Sequence, residues 1–380
     1  MNIAVFHPWL KEKGGAEKVV LEYASRSENN VTVLTPFYDK ENTFEGFKDI
    51  EVKEVAWQGE AGGFISRLLK FSLGGTFTKL DFEEYDSIIF STSGVSTPFT
   101  MRNHDQLTMG YCHTPLRAAL PEFKESYRND LPTGLQPFFG IATWFFGKLE
   151  KFSWRYFDHI FVNSENTKER VLDQELENEE NLTVVNPGAD IEENHSEGRE
   201  KYFLYPTRFR SYKRHEIAIE AFKQADLDEE FELVLAGSAQ EEEYLQKLEQ
   251  MASDEDRIRI EKDVQDGRWN KLYANCYSVL FCAEKEDWGI IPIEAASYSK
   301  PIISVNEGGP VESIKDDETG YLVDPDPGSF AEKMEYLASK SEKVREIGIK
   351  ARKHSRKYSW DKFSEKLDNR IKALHAEKRA

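Results

Sequence analysis

The sequence predicts an α/β protein made of two doubly wound domains, and three observations carry that prediction. Short apolar, β-branched runs alternate with longer helical patterns, and they do so twice along the 380 residues. Runs such as SIIFS, FELVLA and SVLFC are apolar throughout rather than alternating, as expected of parallel strands covered on both faces. Between the two series lies Asn186–Gly198 (NPGADIEENHSEG), polar and rich in turn residues, which reads as a linker.

In the first series the pattern places strands at Asn2–Phe6, Val31–Thr35, Ile50–Val55, Ser87–Ser91, Leu107–Cys112, His159–Val162 and Leu182–Val185. In the second it places them at Tyr202–Tyr205, Phe231–Ala236, Arg257–Ile260, Ser278–Cys282, Pro301–Ser304 and Tyr321–Val323. Helices are expected over Lys18–Ala24, Glu165–Leu172 (capped by Asn163-Ser164) and Glu216–Phe222. The domains are therefore 1–185 and 186–357. An amphipathic helix from Tyr358 lies outside the second alternation and has either domain to pack on.

Composition narrows the function. With 50 Lys+Arg against 69 Asp+Glu the formal net charge is −19, which argues against sequence-independent binding of nucleic acid. A local phosphate site is still allowed, because it needs only a few N–H groups and cations. Three cysteines without metal-ligand spacing fit reduced thiols. The start MNIAVF runs into a strand pattern, and no stretch has the ~18 apolar residues of a spanning helix. The expectation is a soluble, intracellular protein.

Doubly wound sheets bind ligands in the loops that follow their strands, and the unusual residues fall there. Gly14 and Gly15, in KGGAEKV after the first strand, permit close backbone approach at a helix start that attracts an anion. Taken alone they read first as a tight turn, and the spacing excludes a dinucleotide fingerprint. Arg208 and Lys213, in PTRFRSYKRH, bring cations to a helix start in a chain of opposite overall charge, which suits a diphosphate over a merely solvated loop. The segment Glu286-Asp287-Trp288-Gly289-Ile290-Ile291-Pro292-Ile293-Glu294 is the most specific. Glu286 in the loop and Glu294 in the helix can accept hydrogen bonds from sugar hydroxyls at two places. They also fit an acid/base pair, and Glu294 alone fits a helix-dipole partner. His113 follows the strand Leu107–Cys112, where an imidazole can donate a hydrogen bond or transfer a proton, although a lone histidine is more often structural.

Together these segments resemble the retaining glycosyltransferases of family 4, which have the GT-B fold of two Rossmann-like domains facing across a cleft. The likeness runs through KGGAEKV, YCHTPLRAA, VNSENTKERV, NPGAD, YPTRFRSYKRHEIAIEAF, EDWGIIPIEAASYSKPII, NEGGPVESI, ETGYLV and YSWDKF. The run YCHTPLR is similar to a subgroup that includes bacterial mannosyltransferases of polysaccharide assembly. The resemblance implies that Arg208 and Lys213 hold the donor's diphosphate, and that Glu286 with the backbone of Trp288, Gly289 and Ile290 holds the sugar and phosphate. It also implies that Glu294 accepts the ribose hydroxyls, that His113 lies beside the sugar ring, and that Gly15 lines the phosphate–acceptor side. The helix from Tyr358 would return to the N-terminal domain. One departure is Gly237-Ser238-Ala239, where the family has G-x-G.

The implied chemistry is front-face displacement, in which the leaving diphosphate takes the acceptor's proton. No cofactor and no metal are called for. The donor is a nucleotide-diphosphate sugar, GDP-mannose first and UDP-glucose or another UDP-sugar second, and the acceptor is a glycan or a lipid-linked glycan. A non-catalytic nucleotide-sugar-binding protein is the reading from another class. The helical segment Phe138–Phe157 would line up Ile141, Phe145, Leu149, Phe152 and Tyr156 on one stripe, with Trp144, Lys148, Lys151 and Arg155 beside it. A core helix with a solvated face is the first reading. Peripheral docking on a cytoplasmic membrane surface is the second, with Phe64–Phe71 of similar make-up.

Overall fold

The computed structural model describes residues 1–55, 68–129, 131, 133–239 and 241–379. The chain divides into two compact units, Met1–Pro187 with Trp360–Ala380, and Gly188–Ser359. Both crossings fall two residues later than the 185/186 and 357/358 boundaries read from the sequence.

In the first unit, parallel strands β1 (Asn2–Phe6), β2 (Asn30–Thr35), β3 (Glu51–Glu54), β4 (Ser87–Thr92), β5 (Leu107–Cys112), β6 (His159–Val162) and β7 (Leu182–Val184) are ordered 3-2-1-4-5-6-7. In the second, β8 (Tyr202–Pro206), β9 (Glu232–Gly237), β10 (Ile258–Lys262), β11 (Ser278–Phe281), β12 (Ile302–Val305) and β13 (Tyr321–Val323) are ordered 10-9-8-11-12-13. The expected strands are all present, with ends displaced by no more than two residues. Their apolar runs are the cause: β4 and β5 are buried along their whole length, as strands covered on both faces must be. Each order reverses once, between β1 and β4 and between β8 and β11. Those two switch points are where sheets of this kind open a ligand crevice.

Helices of eight residues or more among the described residues are α1 (Gly15–Arg26), α2 (Phe139–Trp154), α3 (Glu165–Asp173), α4 (His215–Gln224), α5 (Glu242–Ala252), α6 (Asp266–Asn275), α7 (Ile290–Ser297), α8 (Pro327–Ser339), α9 (Ser341–Ser355) and α10 (Trp360–Arg379). Ser164 caps α3, its hydroxyl accepting the Thr167 N–H at 2.9 Å. The last helix, α10, packs on the first unit. Buried Asp368 accepts hydrogen bonds from Tyr23 (2.8 Å), Ser27 (2.8 Å), Asn29 (2.9 Å) and the Glu28 N–H (2.9 Å). Phe363 meets Tyr111 edge-on at 5.7 Å.

Two expectations are corrected. The segment read as a linker is packed on the second unit from Gly188 onward. Ala189 and Ile191 join Trp288, Ile293 and Tyr358 in an apolar cluster. Arg352 donates to the carbonyls of Ile191 (2.6 Å), Asn194 and Ser297, and buried Lys300 donates to Ser196 Oγ at 3.0 Å and to the Gly198 carbonyl. Side-chain cations thus satisfy carbonyls of the turn-rich backbone there.

The second correction is the orientation of α2. Its inward face is Phe139, Thr143, Phe146, Glu150, Ser153 and Trp154. Phe138 (63% exposed), Ile141 (69%), Trp144 (65%), Phe145 (45%) and Phe152 (43%) lie outward. Polar groups turn inward because each finds a partner: Thr143 donates to Phe139 O at 2.9 Å, Ser153 donates to Glu150 O at 2.7 Å, and Glu150 accepts the Leu116 N–H at 3.2 Å. The helix does bury a core face, through Phe146 and Trp154, but the expected stripe of Ile141, Phe145 and Phe152 is not that face and leaves the solvent side apolar. Of the second candidate stripe, residues 64–67 lie outside the described residues. Phe71 is fully buried, edge-on to Trp9 at 5.3 Å, and offers no outward surface.

Candidate active site

At the first switch point β1 leads directly into His7 and β4 ends in Ser91-Thr92, while β5 leads directly into His113. The β1–β4 register pairs Phe6 with Phe90, so the next residues, His7 and Ser91, emerge together above the sheet. His7 Nδ1 lies 2.9 Å from Ser91 Oγ, and Ser91 Oγ lies 2.8 Å from His113 Nε2. His113 is held further by its N–H on Thr92 O (2.9 Å), by Asn163 Nδ2 donating to its carbonyl (2.8 Å), and by the Tyr111 ring at 5.1 Å. Burial, with His7 close by, pushes its imidazole down to about 3, so it is neutral at physiological pH.

Gly14 and Gly15 sit on the same side of this sheet, at the start of α1. Gly14 is the N-cap at φ −104° and has no left-handed backbone. With no side-chain cap on the helix, the first N–H groups of α1 stay available to an anion. Gly14 is buried and Gly15 exposed, so of the pair Gly15 offers the accessible backbone.

At the second switch point the loop after β8 carries Arg208 and Lys213, and the loop after β11 carries Glu286. Lys213 Nζ pairs with Glu286 Oε2, both groups being largely buried. The loops are tied together beneath that pair. Glu284 N–H donates to Tyr212 O at 2.9 Å, and the buried Tyr205 hydroxyl donates to Lys213 O while accepting the Cys282 N–H at 3.2 Å. Arg214 bridges Glu284 (2.9 Å) and Glu307 (3.2 Å), so this member of the basic loop is committed to structure. A third loop, Asn306-Glu307-Gly308-Gly309 after β12, backs the site, with Gly309 N–H on Glu286 O at 2.8 Å.

Gly289 takes φ +80° at the start of α7, where a side chain would be strained, and α7 has no side-chain cap. The Ile290 end of that helix therefore presents backbone N–H groups. Trp288, by contrast, is core: its indole is 2% exposed and edge-on to Tyr358 at 5.0 Å, which leaves only its backbone for a ligand. Glu294 has Oε2 taken by the Tyr273 hydroxyl at 2.9 Å, and Tyr273 stacks on Tyr298 at 5.4 Å. Gly237 explains the first position of Gly237-Ser238-Ala239: a Cβ there would lie 2.0 Å from Thr207 O, so the close approach of the β8 loop demands glycine.

Thus Arg208, Lys213, Glu286 and Gly289 lie on the switch-point loops of the second unit, with Ile290 and Glu294 in α7 just beyond, and Gly14 and His113 lie on those of the first, with Gly15 opening α1. No individual role was read from the sequence for the supporting residues, which are His7, Glu17 and Ser91 in the first unit and Tyr205, Tyr273, Glu307, Gly308 and Gly309 in the second. For Gly308-Gly309 the paired glycines were the available signal.

Residues 188–354 match the family model described as glycosyl transferases group 1, a span that lies within the second unit. Over 395 aligned residues the chain is 24% identical to alpha-1,3/1,6-mannosyltransferase ALG2 of Mus musculus, covering 93% of this chain and 92% of that protein. Among solved structures it is similar to sucrose-phosphate synthase from Thermosynechococcus elongatus, with a TM-score of 0.78 at 17% identity over 99% of this chain and 100% of that one. It is also similar to Anabaena Alr3699/HepE in complex with UDP, with a TM-score of 0.77 at 16% identity over 98% and 100%.

Proposed function

Because residues 188–354 form a glycosyl transferase group 1 domain and the chain has the GT-B fold, we propose that it moves a mannosyl group from GDP-mannose to a glycan or lipid-linked acceptor. The transfer retains anomeric configuration and calls for no metal or cofactor. The observation that carries the reading is the Lys213–Glu286 pair on the adjoining loops of β8 and β11, beside the open end of α7. Mannose is preferred because the relative ALG2 is a mannosyltransferase.

In this reading Arg208, Lys213 and the first N–H groups of α7 stabilise charge that builds on the departing diphosphate. The acceptor hydroxyl approaches the same face and gives its proton to that phosphate oxygen, so no side chain has to act as base. Glu286 accepts hydrogen bonds from the transferred sugar, and its pairing keeps Lys213 aimed. Glu294, held by Tyr273 at one oxygen, accepts from the ribose through the other. His113 contributes a hydrogen bond to a sugar substrate. A UDP-sugar donor is the second reading, favoured by the complex of HepE with UDP and glucose.

No helix among the described residues is long and apolar enough to cross a membrane. For a lipid-linked acceptor we place the outward face of α2 at a cytoplasmic membrane surface, since Ile141, Trp144 and Phe145 project there with exposed Lys148 and Arg155. The donor assignment is tested by calorimetry with GDP, UDP and ADP and their common sugars, followed by nucleoside-diphosphate release with glycan acceptors and assignment of the product anomer by NMR. Tight GDP-mannose binding, turnover and an α-linked product are expected. A preference for UDP-glucose overturns the donor, an inverted product overturns retention, and binding without release with any acceptor overturns catalysis.

A further inference from the structure

Three buried polar residues behind His113 have no part in the reading above. His7 is 3% exposed, Glu17 4% and Ser91 2%, and they come from three separate elements: the end of β1, the first turn of α1 and the end of β4. Burying two ionisable groups and a hydroxyl in a row is costly unless each satisfies the next. The two contacts that run on to His113 are hydrogen bonds, and Glu17 stands at ion-pair distance from His7 without a hydrogen bond. Glu17 Oε1 stands 3.7 Å from His7 Nε2, His7 Nδ1 is 2.9 Å from Ser91 Oγ, and Ser91 Oγ is 2.8 Å from His113 Nε2.

We propose that Glu17, His7 and Ser91 are positioning residues that fix His113 in the tautomer protonated on Nε2, leaving Nδ1 able only to accept a hydrogen bond. The argument is a count of protons. Ser91 has one hydrogen to give, so one of its two imidazole neighbours receives it and the other must donate to Oγ. If Ser91 donated to His113, His7 would carry its proton on Nδ1. A bare Nε2 lone pair would then face the Glu17 carboxylate, buried and with no donor among the described residues. With the proton of His7 on Nε2 that repulsion becomes attraction. Ser91 then gives its hydrogen to His7 Nδ1 and accepts from His113 Nε2–H. Thr92 O and Asn163 Nδ2 fix the backbone of His113, and among the described residues its Nδ1 has no hydrogen-bond partner. His113 is thereby set to accept a hydrogen bond from a sugar hydroxyl at Nδ1 and not to donate one there. This inference rests on the glycosyltransferase reading for its purpose, but its geometry lies wholly in the first unit.

The test is long-range 1H–15N NMR of the imidazoles in the full chain without substrate, with His113 assigned by comparison with His113→Gln. His113 should show a protonated Nε2 and a bare Nδ1 in the wild type, and a mixture of tautomers in Ser91→Ala. Ser91→Thr, which keeps the hydroxyl, should restore the single tautomer. In turnover assays Ser91→Ala should lose roughly tenfold in kcat/KM, and Ser91→Thr should recover most of it. A wild-type His113 protonated on Nδ1, or an unchanged single tautomer in Ser91→Ala, overturns the relay. Failure to turn over any nucleotide sugar would sink the enzymatic reading while leaving the spectroscopic answer standing.

Discussion

Replacing Gly308 with alanine probes how the second unit holds Glu286. Gly308 lies at φ +63°, and an ideal Cβ built on it falls 2.4 Å from the carbonyl oxygen and 3.0 Å from the nitrogen of Glu286. The left-handed backbone costs an alanine about 1–2 kcal/mol. The overlap is with main chain, which cannot swing aside as a side-chain tip can, and overpacking of that kind costs about 1–3 kcal/mol. Together they predict a loss of about 2–5 kcal/mol, or a Tm lower by roughly 5–15 °C. The displaced backbone is that of Glu286, whose carboxylate orients Lys213. A shift near 1 Å at a positioning group costs on the order of 100-fold in rate. Gly140→Ala is the control, because its Cβ would meet nothing within 4 Å and α2 should gain up to ~1 kcal/mol. Thermal melts and nucleoside-diphosphate release are measured on both variants. If Gly308→Ala kept both the Tm and the kcat/KM of the parent, the reasoning would fail. If it lost stability alone, the coupling to Glu286 would be wrong.

Lys213→Ala should lower kcat/KM by roughly 100-fold, from the lost stabilisation of the diphosphate, and a loss under fivefold would remove Lys213 from that role. Asp368→Ala strips four donors of one buried carboxylate and should destabilise the first unit by about 3 kcal/mol in urea titrations, a near-zero effect contradicting the docking of α10. Burial raises the Glu150 carboxyl to about 8, above its unfolded value of ~4.3. Between those values the folded chain keeps a proton that the unfolded chain has released, so stability falls as pH rises from about 4.5 to 8. Glu150→Gln should therefore gain stability at pH ~8 relative to the parent and lose that advantage by pH ~5, and urea midpoints that differ equally at both values would refute the assignment. Ile141→Asp with Trp144→Asp should abolish flotation with anionic vesicles at low salt. Unchanged flotation would exclude the α2 face.

The strands were legible because a strand covered on both faces has no choice but to be apolar, and runs such as FELVLA and SVLFC admit little else. The candidate residues of the second unit stood out for a related reason. Cations and carboxylates after buried strands have nowhere to sit but the sheet's carboxyl edge. Periodicity failed on α2, since it assumes that apolar side chains turn inward. Here Thr143, Glu150 and Ser153 turn inward instead, each answered by a backbone group. Composition misled likewise on the supposed linker, whose polar character is answered by Arg352 and Lys300 from more than 100 residues away. The row from Glu17 to His113 joins side chains from separate strands and a helix, and no local pattern encodes such a meeting. Tyr273 was invisible for the same reason: its hydroxyl reaches Glu294 from another helix.

All three cysteines are buried as free thiols, Cys112 in the first unit and Cys276 and Cys282 in the second. Cys112 adjoins His113, and the amide of Cys282 is bonded to the same Tyr205 that supports Lys213. Neither sulfur reaches a labelling reagent until its own sheet breathes. The chain therefore carries a native opening gauge beneath the candidate residues of each unit. Alkylation rates followed by peptide mapping would read how often each floor comes apart, with and without nucleotide, and no foreign probe need be introduced.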